Sequence, residues 1–432
     1  MLPDDVLLDI FDFYANEYMD EDSEQSFKQR KEGWITLTHV CRRWRNVIFQ
    51  SPRRLDLQLF CTSETPVRDT LDIWPPLPLL IRGVFDEPSS VDNVIAALER
   101  NDRVRQINLE HLTSSQSESV TSSAAMRKPF LELTHLGLGL LEPGPILPDS
   151  FLGGTAPRLR ELRLCGVPFP GFPKLLLSAT QLVHLDLFSI PPSGYIPLEA
   201  MATTLSALTS LESLYLRFRY PRPRPAIESR RPPPLTRYIL PSLTFIIFNG
   251  PSENLEEILA RIDAPRINIM YITYFNQIIF NTPQLFQFIS QVERPTRLRA
   301  PKEGRIIFDS SDITVRFPLQ TSDSGVLSVK VPCTASERQL SSLAQVCTSG
   351  SSLPPLSTLE DLYILEPRAY APRWQDDFKH TLWLDLLRPF VAVRNLLIRG
   401  IRAPCCALPA RTRRWKNDRS FAHPGEYFLR RI

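Results

Sequence analysis

The six-residue spelling L-x-x-L-x-L, with leucine-like residues at its first, fourth and sixth positions, recurs along the chain and constrains the fold more than any other feature. It stands as VRQINL from Val104, LTHLGL from Leu133, LRELRL from Leu159, LVHLDL from Leu182, LESLYL from Leu211 and LTFIIF from Leu243. LEDLYI from Leu359 and VRNLLI from Val393 extend the set. Each copy reads as a short strand whose apolar residues point into a core while the intervening ones face outward. One such unit cannot hide its apolar side alone, so neighbouring copies are expected to stack as a parallel sheet. Between copies, PGFPKLLLSATQ and PLEAMATTLSALTS show helical apolar spacing interrupted by proline, which suits short helices or turns on the far side of the sheet.

Copies lie roughly 23 to 34 residues apart, overlapping the 20 to 29 of leucine-rich repeats but less regular. The expected fold is therefore α/β: an irregular leucine-rich-repeat solenoid with a parallel sheet over residues 61–400, preceded by a helical segment over 1–60. The 40 prolines fit many short elements and fixed turns. The pattern lapses between about residues 275 and 355, where GRIIFDSSDITVRF and GVLSVKV look like strands of another spacing and ERQLSSLAQVC like a helix. The insert PRPRPAIESRRPPP from Pro221 reads as an exposed loop, and 401–432 as a basic tail without order.

At the third, fifth and seventh positions of a copy the side chains project from the outward, concave face and stack from repeat to repeat. That predicts a target-binding strip of Gln106, Asn108 and Glu110, His135, Glu161 and Arg163, His184 and Asp186, and Tyr215 and Arg217. His135 and His184, with Cys165 between them, raise the thought of a metal, but no fixed ligand number or spacing supports one, and none is expected.

The N-terminus reads LPDDVLLDIFDFY: Pro3 can occupy a first helical turn, Asp4 and Asp5 suit the positive end of a helix dipole, and Leu7, Ile10, Phe11 and Tyr14 share an apolar face. A second run, GWITLTHVCRRWRNVIF, puts Trp34, Leu37, Cys41, Trp44 and Ile48 on one stripe, predicting one strongly amphipathic helix. The charged stretch between the two runs reads as a solvated loop.

LPDDVLLDIF paired with LTHVCRRWRNVIFQSP resembles the F-box, particularly the version that opens many fungal F-box proteins with a leucine-rich C-terminal region. The resemblance covers the first 60 or so residues. It implies that Leu2, Pro3, Leu7, Ile10, Phe11, Leu37, Val40, Cys41 and Trp44 hold a Skp-type adaptor and, through it, a cullin-RING ubiquitin ligase. The solenoid would then bind a protein target. Two departures stand out: the stretch between the helices is longer than in the family, and after Ser51-Pro52 the family's Leu-Trp is replaced by Arg53-Arg54-Leu55.

Composition narrows the alternatives. The 50 basic and 47 acidic residues are spread along the chain, unlike the concentrated basic face that nucleic-acid binding needs, so no nucleic-acid partner is expected. No apolar run approaches the roughly 18 residues of a membrane span, and the start of the chain carries acids where a signal peptide carries bases. With 7 scattered cysteines giving no framework, a cytoplasmic or nuclear protein is expected. Walker, GxSxG, HExxH and dinucleotide motifs are absent from the sequence, so neither catalysis nor a cofactor is expected.

Overall fold

The computed structural model describes residues 2–16, 33–50, 57–74, 76–83, 85, 89–168, 174–194, 198–219, 237–275, 280, 282–291, 302–318, 326–333, 336–349, 356, 359–366, 380–399, 415–417 and 426–431. The charged stretch 17–31, the proline-rich insert and most of the basic tail lie outside these residues. The described chain is mixed α/β, with twelve α-helices and largely parallel sheets. It divides near residue 186 into two units.

Unit 1 opens with three helices, α1 (Asp4–Asn16), α2 (Gly33–Val40) and α3 (Arg42–Gln50). The single helix expected over the second run is in fact two, because the chain breaks at Cys41. The Cys41 thiol accepts the Trp44 backbone N–H at 3.4 Å, acting as the cap that starts a new helix. Leu7, Leu8 and Phe11 of α1 bury against Leu37, Val47 and Ile48, with the Phe11 and Trp44 rings 4.7 Å apart. Arg43 donates to the Leu2 carbonyl at 2.5 Å and to Asp4 at 2.6 Å, tying α3 to the start of α1.

The sheet of unit 1 runs β1 (Leu57–Cys61), β2 (Leu79–Gly83), β3 (Val104–Leu112), β4 (His135–Leu140) and β5 (Glu161–Cys165), all parallel and in chain order. Strand β6 (His184–Ile190) spans the boundary between the units. Helices α4 (Val67–Ile73), α5 (Ser89–Leu98), α6 (Ser114–Ser122) and α7 (Lys174–Ser178) connect the strands.

Most of the leucine-like copies use the same local device. The first residue closes a turn, as when the Leu159 N–H donates to the Ala156 carbonyl at 3.1 Å and that of Leu182 to Ala179 at 3.0 Å. The second residue then donates its N–H to the second residue of the preceding copy: Thr134 to Arg105, Arg160 to Thr134 and Val183 to Arg160, each at 2.8 Å. Except in β3, which starts at Val104 itself, the strand proper begins at the third residue, and the first, fourth and sixth positions are buried: Leu133, Leu136 and Leu138 are at most 3% exposed. At roughly 2 kcal/mol for each such side chain, the buried positions supply the main drive for stacking.

Unit 2 begins with α8 (Leu198–Ala207), β7 (Ser213–Phe218), β8 (Tyr238–Ile239) and β9 (Phe245–Gly250), followed by α9 (Ser252–Leu259), β10 (Ile262–Asp263), β11 (Ile269–Tyr274) and α10 (Pro283–Gln291). Strands β7, β9 and β11 are parallel neighbours, with the same tie from Thr244 to Glu212 at 2.9 Å and from Asn268 to Thr244 at 2.8 Å. The expected purely parallel order then fails. Strands β12 (Glu303–Phe308), β13 (Asp312–Pro318) and β14 (Val326–Pro332) form an antiparallel meander that enters the sheet in reverse, giving the order β11-β14-β13-β12-β15. The outer meander strands still pair in parallel with β11 and with β15 (Asp361–Leu365), so the meander fits inside the repeat lattice. Short links allow it, since antiparallel neighbours need no crossover helix.

After β15 come α12 (His380–Leu387), which follows α11 (Ser336–Ser349) in the helical set, and β16 (Asn395–Arg399). Strands β17 (Trp415–Asn417) and β18 (Glu426–Arg431) lie within the stretch read as a basic tail: β18 pairs antiparallel with β16, and β17 with β18. In that pairing Tyr427 stands opposite Ile398 and Leu429 opposite Leu396.

Candidate functional site

On the N-terminal helices the structure separates the nine motif residues into two groups. Leu7, Phe11 and Leu37 are buried in the helices' own core, and Trp44 is half-buried against Phe11, so these four act first as packing residues. Leu2, Pro3, Ile10, Val40 and Cys41 are exposed. A helix advances 100° per residue, so Ile10 lies well off the Leu7–Phe11 line and falls instead on the side of Val6 and Phe13, with Leu2 just ahead of the helix. That outward stripe is unusually apolar: Leu2 is 51% exposed, Ile10 44% and Phe13 69%, while Val40 of α2 is 55% exposed. Val6 and Phe13 were missed from sequence because the motif does not include them, although their helical spacing from Ile10 was visible.

The ten residues expected on the outward sheet face all retain solvent access, in contrast to the buried leucines beside them. Seven belong to unit 1. Register sets Gln106 beside His135 and His135 beside Glu161, and places Asn108 two strands from Arg163 with Gly137 between. The side chains largely satisfy one another: His135 Nε2 lies 3.8 Å from Glu161, Arg163 lies 3.7 Å from the same carboxylate, and Asn108 donates to Glu110 at 3.2 Å. The Asn108 carboxamide leans over Gly137, where an added Cβ would come 2.5 Å from its oxygen. His184, exposed, begins β6.

His135 is held by a 2.8 Å hydrogen bond between Nδ1 and the Thr134 hydroxyl. Burial lowers its pKa below the ordinary imidazole value. Glu161 opposes that shift, while Arg105, Arg160 and His184 add to it. Among the described residues no three His, Cys, Asp or Glu side chains converge as a bound metal would require. The thiols of Cys61 and Cys347 are pushed up to about 12 by burial, which removes them as nucleophiles.

Asp186, Tyr215 and Arg217 belong to unit 2, where the outward face has a different character. The Arg217 guanidinium lies 5.1 Å from the Phe188 ring centre and 6.0 Å from that of Tyr215. Tyr215 is 5.3 Å from Phe245, and Phe245 is 6.0 Å from Tyr271, so an aromatic file crosses β7, β9 and β11. Phe188, Phe245 and Tyr271 were not foreseen. The available signal was an aromatic residue at outward parity, at the seventh position of LVHLDLF and the third of LTFIIF.

A cleft of about 780 Å³ opens where strands β3, β4 and β5 begin, and Arg103, Arg105, Arg158, Arg160, Glu132 and His135 are among its lining residues. Among the described residues, no helix is long and apolar enough to cross a membrane. No protein-family model matches this chain, and no curated protein shows detectable similarity to it.

Proposed function

We propose that this chain is a non-catalytic substrate-recognition subunit of an SCF-type cullin-RING ubiquitin ligase, its F-box-like helices docking a Skp-family adaptor and its leucine-rich-repeat-like region binding a protein target. The observation that carries the reading is the outward stripe of α1. Leu2, Val6, Ile10 and Phe13 stay exposed although the three helices already own a packed core. Isolated exposed apolar side chains are ordinary, but three on one face of a short helix, with Leu2 just ahead of its start, fit a surface that a partner covers. The aromatic file around Arg217 supplies the Tyr, Phe and Arg chemistry favoured in protein interfaces, and supports the target-binding half.

The rival reading is a leucine-rich scaffold whose helices merely cap the repeats, and the self-contained Phe11–Trp44 core favours it. Co-purification of the full chain with a Skp-type adaptor separates the two. A stoichiometric complex is expected. An adaptor that fails to bind the folded chain at micromolar concentrations overturns the docking reading and leaves the scaffold.

A further inference from the structure

We infer that the arginine row at the strand-entry edge of unit 1 binds an acidic segment of a protein partner, with Arg105 and Arg160 holding its carboxylates. This deepens the target-recognition reading by naming the target's chemistry, and it does not depend on adaptor docking.

The row follows from the repeat device. Arg105, Thr134 and Arg160 are the second residues of three consecutive copies, and their main-chain ties hold them side by side. Neighbouring strands lie about 4.8 Å apart, so the Arg105 and Arg160 backbones stand roughly 10 Å apart, about three residues of an extended peptide. Two residues further back in each copy, Arg103 and Arg158 line the same cleft, which thus carries four guanidinium groups against the carboxylates of Asp102 and Glu132.

Arg103, Arg105 and Arg158 each have interactions within the chain. Arg158 is paired with Glu132. Arg103 is anchored through Nε to the Leu77 carbonyl at 3.0 Å. Arg160 is exposed and makes no ion pair among the described residues. Arg105 and Arg160 both line the cleft that His135 also lines. Guanidinium pairs recognise carboxylates bidentately, and a cleft brings such charges together better than a flat surface. The lining prolines Pro76 and Pro78 add an apolar wall suited to a peptide. Interspersed carboxylates argue for a protein segment over a phosphate backbone, which favours an unbroken basic stripe.

The test is fluorescence anisotropy with the full chain and a short labelled peptide rich in aspartate and glutamate. The comparison probes are the same peptide with each acid replaced by its amide, and a single-stranded RNA of equal length. Binding of the acidic peptide that weakens with salt is expected, with a loss of about tenfold or more in Arg105→Gln/Arg160→Gln and about threefold in Arg160→Gln alone. The single variant changes only an exposed side chain, so it remains informative if the half-buried Arg105 proves necessary for folding. Undiminished binding by the folded variants, equal binding of the amide peptide, absence of acidic-peptide binding or tighter binding of the RNA each overturns the proposal. Adaptor capture, measured on the same preparations, is expected unchanged; its failure in the wild-type chain would count against docking alone.

Discussion

Replacing Phe13 by alanine tests the outward stripe most directly. The side chain is 69% exposed, so the folded chain owes it little packing, and alanine is a better helix former than phenylalanine. Taking roughly 200 Å² for a fully exposed aromatic side chain, about 140 Å² is available to a partner. At about 25 cal/mol per Å², complete coverage is worth about 3.5 kcal/mol, and half coverage about 1.7 kcal/mol. The second figure corresponds to a loss of about 20-fold in affinity. The assay is titration of immobilised full-length chain with purified Skp-type adaptor, with circular dichroism confirming the helices. Ile10→Ala, from the same stripe and 44% exposed, is expected to weaken binding in the same direction. A folded Phe13→Ala/Ile10→Ala double variant that binds adaptor with wild-type affinity would refute the argument that this stripe is a covered surface.

Trp44→Ala should behave differently: its ring packs on Phe11, so the expected result is a loss of roughly 2 kcal/mol in stability of the helical segment, read from urea unfolding of helix signal. An unchanged midpoint would show that this contact contributes nothing. Glu256 accepts the N–H groups of Gln284 and Leu285 at the start of α10, yet burial raises its carboxyl pKa to about 7 against the opposing pull of those two donors. The folded state therefore holds a proton that the unfolded state releases, and stability should fall by up to about 3 kcal/mol as pH rises from about 4.5 to 7. Glu256→Gln should flatten that slope in denaturation curves collected across the window, and a slope that persists would assign it to other groups. Gly153, with φ of 65°, has room for no Cβ, since one would lie 2.7 Å from the Pro129 backbone nitrogen. Gly153→Ala should cost roughly 2 kcal/mol or more, and a melting temperature equal to wild type would contradict that geometry.

The repeat lattice was legible because its signal is a spacing of buried apolar residues, and all eight quoted copies carry a strand, seven of them starting at the third residue and β3 at the first. Strand β11 was missed although INIMYI satisfies the same spacing with isoleucine and methionine in place of leucine. Strands β1 and β2 were missed because LQLFC and LLIRG follow other spellings. The reversed order of β12 to β14 depends on which edges meet in space, information that no local pattern in GRIIFDSSDITVRF contains. At the N-terminus, the motif identified the helices but not which side of them is inside. Leu37 and Val40 look equivalent as apolar residues, yet one is buried and the other exposed, because the break at Cys41 turns α3 back onto α1.

The ties between second residues are main-chain hydrogen bonds, at 2.7 to 2.9 Å from Thr134 through to Arg394, to which the Thr134 and Thr244 hydroxyls add a bond to the same carbonyl. Register in such a lattice is counted in strands, not in residues. Whatever lies between one tie and the next can lengthen at a cost that grows only logarithmically, about 0.6 kcal/mol for each doubling of a flexible connection. The uneven intervals in the sequence are thus no sign of decay. Connecting segments are free to gain or lose residues, and with them new contacts, while the order of the outward-facing rows stays fixed.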